Sequence, residues 1–292
     1  MSNDATFLTP DILQQYVSES TLQTLQNIRT IAKEAKLSSK HLYKDFQGIF
    51  AQGNLDLLKQ PKVAIVGTRT PNQYTKYYSS YLATELVSMG CVIVSGGAIG
   101  VDSVAHQNSK EKSIVVLPSG VNMNYPKESA KILDFIRTNG LVLSEYEYDF
   151  MPRKHSFLER NRIIIALSDI VIIPQADIRS GSSSSANLSV ALGKPLFVLP
   201  HRLNESLGTQ ELLDKNHARC IYNIESFFQI TREYFKLDSM EIEHDELIEF
   251  AKNHGSFDVA LEKFGDKVLE YELEGKIKRV GHYIVLCSSG II

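Results

Sequence analysis

The residues best suited to chemistry lie in Arg153-Lys154-His155-Ser156-Phe157-Leu158-Glu159-Arg160-Asn161-Arg162, where five basic groups (counting His155), one amide and one aromatic ring fall within ten positions. Cationic side chains neutralise phosphates and a ring gives a base a face to stack on, the combination that holds a single nucleic-acid strand. A plainer reading makes Phe157 core and the arginines internal ion-pair partners. Arg160 and Arg162, two apart, do not easily share a helix face, so one of them is expected to be structural.

Three further stations offer donors to an anion. Val66-Gly67-Thr68-Arg69 ends an apolar run just before a helical stretch, where free backbone N–H groups favour negative charge and Arg69 adds a fork-shaped donor. Ser95-Gly96-Gly97, followed by Gly100, Asp102 and His106, has enough glycine to let a backbone approach a ligand, with Asp102 bracing the turn and His106 read as a packing or polar contact. Ser180-Gly181-Ser182-Ser183-Ser184 sets hydroxyls and backbone donors before another helix as an anion nest, or is simply a polar loop.

Nucleophiles and cofactor signatures are missing from these stations. GTRTPN (67–72) lacks the GxGxxG spacing, and the chain has no P-loop lysine, no GxSxG elbow, no HExxH and no acid pair near a base. Cys91, Cys220 and Cys287 are far apart and odd in number, so neither a disulfide framework nor a zinc cluster is expected, and a reducing cytoplasm is the expected location. No metal or cofactor is expected. The first residues do not read as a secretory signal, and the most apolar stretch, 163–174, is too short to span a membrane and contains Ser168 and Asp169.

Six β-branched runs must position the stations: 63–67, 91–97, 113–120, 141–145, 169–174 and 195–200. Apolar runs without alternation are strands covered on both faces, and helical stretches between them imply right-handed crossovers in a mostly parallel sheet. The expected fold is therefore α/β: an extended Rossmann-like, doubly wound sheet over 61–229, in which a ligand sits outside the carboxyl ends of the strands. Residues 1–60 read as a small helical N-terminal segment, from the spacing of Leu22, Leu25, Ile28 and Ile31. Residues 230–292 read as three short helices and a hairpin, the order of a winged-helix domain.

The whole chain of 292 residues carries a net charge of −3, which by itself points away from a nucleic acid. Its distribution reverses that reading. Eight basic against thirteen acidic residues from 230 onward give the tail −5, while 151–202 holds seven Lys/Arg against three acids, a local +4.

Taken in order, the pieces VGTR (66–69), SGGAIGVDSVAH (95–106), NYP (124–126), LSE (143–145), FLERNRIIIALSD (157–169), SGSSSSA (180–186), GKPLFVLP (193–200) and SLGTQELL (206–213) resemble the DprA/Smf DNA-processing family. The resemblance covers roughly 60–225. It implies a Rossmann domain that binds single-stranded DNA, and double-stranded DNA more weakly, protects incoming strands during natural transformation and loads the RecA recombinase onto them. It also implies a homodimer, and action by binding rather than catalysis. Carried over by position, it implies phosphate contacts from Arg69, Ser95 to Gly97, Lys154, Arg162 and the Ser180, Gly181, Ser182 and Ser184 nest, with Gly67, Arg160 and Asn161 in the same interface and Phe157 stacking a base. Departures are Tyr74-Thr75 where a tyrosine-glycine is usual, Ser185-Ala186 for threonine-alanine, and Pro200-His201 for proline-glycine. The acidic tail argues against that domain as the main DNA grip and favours protein–protein contact. Two other classes stay open: a nucleotide-directed hydrolase similar to phosphoribohydrolases, although SGSSSSAN lacks their glutamate, and a pure interaction scaffold.

Overall fold

The computed structural model describes residues 5–37, 44–237, 246–252 and 255–286. The chain divides into two units, Met1–Phe235 and Lys236–Ile292. Cys287 lies outside the described residues.

The first unit is a nine-stranded sheet. Its strands are β1 (Thr6–Leu8), β2 (Ile49–Gly53), β3 (Lys62–Ile65), β4 (Val92–Ser95), β5 (Ser113–Val116), β6 (Leu141–Ser144), β7 (Ile170–Ile173), β8 (Leu196–Val198) and β9 (Arg219–Cys220). They lie in the order β1-β2-β6-β5-β4-β3-β7-β8-β9. From β6 to β9 every pairing is parallel. Strands β3 to β7 are buried at every position, as a sheet covered on both faces requires. The helices of the unit are α1 (Pro10–Leu13), α2 (Glu19–Glu34), α3 (Gln73–Ser88), α4 (Val101–Ser109), α5 (Ala130–Asn139), α6 (Ser156–Leu167), α7 (Gly181–Ala191), α8 (Leu207–Asp214) and α9 (Ile224–Phe235).

The chain winds outward from β3 to β6 on one side, then returns to lay β7, β8 and β9 on the other. The order reverses between β3 and β7, so the loops leaving those two strands diverge and open a crevice at their carboxyl ends. Those loops carry Gly67 to Arg69 and the Ser180 turn.

Two boundaries differ from the sequence reading. Residues 1–60 are not a separate helical segment, since β1 pairs with β2, and β2 pairs antiparallel with β6 in the register Phe50↔Ser144 to Gly53↔Leu141. Helix α2 does form, with Ser18 capping its start by accepting from the Thr21 N–H. Its buried face (Leu25, Ile28, Ala32) joins the same core as Ile163, Ile164 and Leu167 of α6. At the other end the first unit runs to Phe235 rather than 229, because α9 buries Phe227 and Phe228 and sets Phe227 edge-on to Phe197 at 5.0 Å.

The second unit has α10 (Glu246–Lys252), α11 (Phe257–Phe264), α12 (Lys267–Leu273) and the hairpin β10 (Ile277–Val280) and β11 (Tyr283–Leu286). Three helices followed by a hairpin is the element order expected of a winged helix. Leu247, Ala251, Ala260, Val268, Ile277 and Ile284 form its own core.

Because α2 packs into the main core, Leu25→Ala should destabilise the whole first unit by about 2–5 kcal/mol. Urea unfolding followed by circular dichroism measures it, and a loss near zero would mean that α2 is peripheral.

Candidate nucleic-acid interface

At the reversal point the surface dips into a cavity of about 460 Å³ bounded by the loop after β3, the start of α6, the start of α7 and one side of α4. The loop after β3 is held across the switch point: the Thr68 N–H donates to Gln175 O at 2.9 Å, and Thr68 O accepts from the Val101 N–H at 3.2 Å. Gly100, with φ of +94°, lets Arg69 sit there, since a Cβ on it would fall 2.6 Å from the Arg69 Cα. The Arg69 side chain itself is exposed.

Helix α6 supplies one wall. The Ser156 hydroxyl accepts from the Arg153 N–H at 2.9 Å and donates to Arg153 O at 2.7 Å, closing the turn that starts the helix. Lys154 is exposed at the rim and Phe157 is half-buried below it. The Arg69 guanidinium lies 5.3 Å over the Phe157 ring, within cation–π range. The Tyr125 ring, 41% exposed, meets Phe157 edge-on at 5.7 Å. In the sequence Tyr125 belongs to the NYP piece of the family resemblance, ahead of a proline, and carries no site role there.

Helix α7 supplies another wall. Ser180 caps it, accepting from the Ser183 N–H at 3.1 Å, and Gly181 and Ser182 turn toward the cavity. Ser184 does not; it lines a neighbouring cavity of about 780 Å³, shared with Arg179 and Lys215.

The innermost wall is an ion pair. Arg160 is 4% exposed, and its Nη1 lies 3.9 Å from Asp102 Oδ2. Asp102 also accepts from the Gly96 N–H at 3.2 Å. Burial pushes the Asp102 carboxyl up and Arg160 down to about 10, each resisted by its partner, so the guanidinium stays charged at neutral pH. Gly96 is what lets them meet, because a Cβ there would lie 1.1 Å from the Arg160 Nη1.

Four further expected contacts are corrected. Ser95, Gly96 and Gly97 are buried beneath the cavity instead of facing it: the Ser95 hydroxyl donates to Ile65 O at 2.6 Å, Gly96 makes room for Arg160, and a Cβ on Gly97 would press on Leu133 and Val115. Arg162 is fully buried on the opposite face of α6 and donates through Nη2 to both Glu145 carboxylate oxygens, at 2.5 and 2.6 Å. It is the structural arginine of the two. Gly67, Arg69, Lys154, Phe157, Arg160, Asn161, Ser180, Gly181 and Ser182 do come together around one cavity.

A family model described as DNA recombination-mediator protein A matches residues 32–232, more than half of the chain. The chain belongs to this family. It is 34% identical over 212 residues to DNA processing protein DprA of Bacillus subtilis, covering 70% of this chain and 71% of that one. The DprA of Streptococcus pneumoniae is 38% identical over 167 residues, covering 55% of this chain and 57% of the relative. Among solved structures, DNA processing protein A of Helicobacter pylori, studied for its single-stranded DNA binding mode, superposes with a TM-score of 0.65 at 51% identity, covering 67% of this chain and 92% of its own. The S. pneumoniae DprA structure superposes with a TM-score of 0.57 at 35% identity, covering 60% and 63%. Both support the Rossmann-like sheet.

Among the described residues, no three His, Cys, Asp or Glu side chains are grouped to hold a metal ion, and no helix is long and apolar enough to cross a membrane.

Behind the ion pair sits His106, fully buried; burial, with Arg160 nearby, holds its pKa down to about 3, so it is neutral. The unfolded chain takes up a proton near pH 6.5 and the folded one does not, so this group's stability is complete above 6.5 and falls as pH drops. At pH 5 the loss is about 2 kcal/mol. His106→Asn should flatten the pH dependence of unfolding free energy between pH 7 and 5 by that amount; equal slopes would show that His106 protonates in place.

Proposed function

We propose that the chain binds single-stranded DNA in the crevice at the β3/β7 reversal, and double-stranded DNA more weakly. The observation that carries this reading is the half-buried Phe157 ring with Arg69 stacked against it and Lys154 at the rim, a stacking surface flanked by two cations on long stems. Arg69, Lys154 and the backbone donors of Ser180, Gly181 and Ser182 take phosphates, Phe157 takes a base, and Arg160 and Asn161 face the strand from the inner wall, where the Gly67 N–H is directed at Asp102. The protein acts by binding, with no bond made or broken.

Membership of the recombination-mediator family, and the single-stranded DNA binding of the H. pylori relative, support the wider reading. In it the protein protects incoming strands in the cytoplasm during natural transformation, works as a homodimer and passes its strand to RecA. The −5 charge from residue 230 onward leaves the grip on DNA to the first unit, because each phosphate contact needs a cation.

Arg69→Ala with Lys154→Ala should weaken binding of oligo-dT and lower the slope of log affinity against log salt by about 0.7 for each phosphate no longer neutralised. Phe157→Ala should weaken binding by about 1–3 kcal/mol with little change of slope. Gel-shift titrations at two salt concentrations measure both. An unchanged slope in the double variant would move the strand away from this crevice. For the wider reading, RecA filament formation on covered strands is the measurement, and no acceleration over free RecA would refute the loading role.

A further inference from the structure

The buried guanidinium of Arg160 has more to do than hold Asp102. Its Nε and Nη1 make no hydrogen bond, although each is shielded from solvent, and the distance to Asp102 is that of an ion pair rather than a hydrogen bond. Buried donors left unmatched are destabilising, and one that a fold keeps beside a cavity calls for a reason, such as a bound water or a ligand. The fold also reserves space for this group, since Gly96 is bare where any side chain would displace it. Arg160 is on the cavity wall, and these two nitrogens meet an acceptor there once the guanidinium turns toward the opening.

The position of Arg160 selects the kind of acceptor. Phe157, Arg160 and Asn161 stand at i, i+3 and i+4 on α6, one face of one helical turn, and all three line the cavity. A base laid on the Phe157 ring therefore turns an edge toward Arg160 and Asn161, while its backbone stays at the rim with Arg69 and Lys154. A phosphate pushed inward to Arg160 would meet the Asp102 carboxylate as well. A neutral carbonyl meets no such repulsion.

Building on the single-strand reading above, we propose that Arg160 is the base-selecting residue of the cavity: a donor-only group that accepts bases bearing an exocyclic carbonyl and disfavours adenine, whose amine points a donor back at it. Asn161, which both donates and accepts, tolerates either. The protein is thus a single-strand binder with a keto-base preference at one nucleotide of its site.

The probe is a strand of abasic deoxyribose residues, about twelve long and so within the range of single-strand site sizes, carrying one central base, either adenine or hypoxanthine. The two bases stack alike and differ at the amine-to-carbonyl exchange and the accompanying ring proton. Fluorescence anisotropy with the full chain should show hypoxanthine bound roughly ten-fold or more tighter, the scale of one hydrogen bond to a charged group. Arg160→Met combined with Asp102→Asn removes both charges together, so no lone buried ion is left to unfold the protein. It should equalise the two strands while keeping the salt slope of oligo-dT. Gly96→Ala, which displaces the guanidinium without removing its charge, should also reduce the preference. Equal binding of the two bases by the natural chain, or a preference that survives the double variant, overturns the proposal. A slope lowered by the equivalent of one phosphate in the double variant also overturns it, by making Arg160 a phosphate ligand. Failure of the natural chain to bind even oligo-dT would instead fault the single-strand reading.

Discussion

The contact between Arg160 and Asp102 is the constraint that the rest of the cavity obeys. A guanidinium and a carboxylate taken out of water need each other, since either alone would be a buried uncompensated charge. Meeting this need ties α6 to α4 across the ends of β3 and β4, and requires Gly96 to be bare. Arg162, on the far side of α6, makes a second buried pair with Glu145 just beyond β6. The helix is thus pinned on two faces by two arginines, and Phe157 at its first turn inherits a fixed position. Exposed Lys154 and Arg69 can then move without the stacking ring moving with them.

Electrostatics explains how a net-acidic chain comes to present a cationic crevice. Two of the positive charges between 151 and 202 are consumed internally, Arg160 by Asp102 and Arg162 by Glu145. Local counting in the sequence therefore overstates the charge available to a polyanion. What remains at the opening is carried by a few side chains on long stems, supplemented by backbone donors at the start of α7. Such an arrangement favours a flexible strand, which can bring phosphates to scattered donors, over a rigid surface that would need a continuous basic face.

The parallel strands are legible in the sequence because each is a short apolar run covered on both faces, a pattern that needs no knowledge of neighbours. Strands β1 and β2 are not, because IFAQG (49–53) becomes a strand by pairing with β1 on one side and with β6, some ninety residues away, on the other. For the site, the residue types are legible and their orientation is not. The spacing of Arg160 and Arg162 shows that the two must diverge, but which of them faces inward depends on where Glu145 and Asp102 lie. Likewise, three glycines in SGGAIG (95–100) read as an approach for a ligand, whereas Gly96 serves a side chain of the protein itself and Gly100 serves a bend in the neighbouring loop. Tyr125 is illegible as a site residue because its partner, Phe157, is 32 positions away.

The ends of the nine-stranded sheet carry a consequence for assembly. One margin is β1, three residues long, and the other is β9, only two. So few unpaired backbone groups make a poor template for another strand. Continuation of the sheet from one molecule into the next is therefore disfavoured at both margins. Copies of this chain that associate through the first unit would do so through side chains, and α3 offers a surface there in Tyr74, Tyr77 and Tyr81, exposed on one helix.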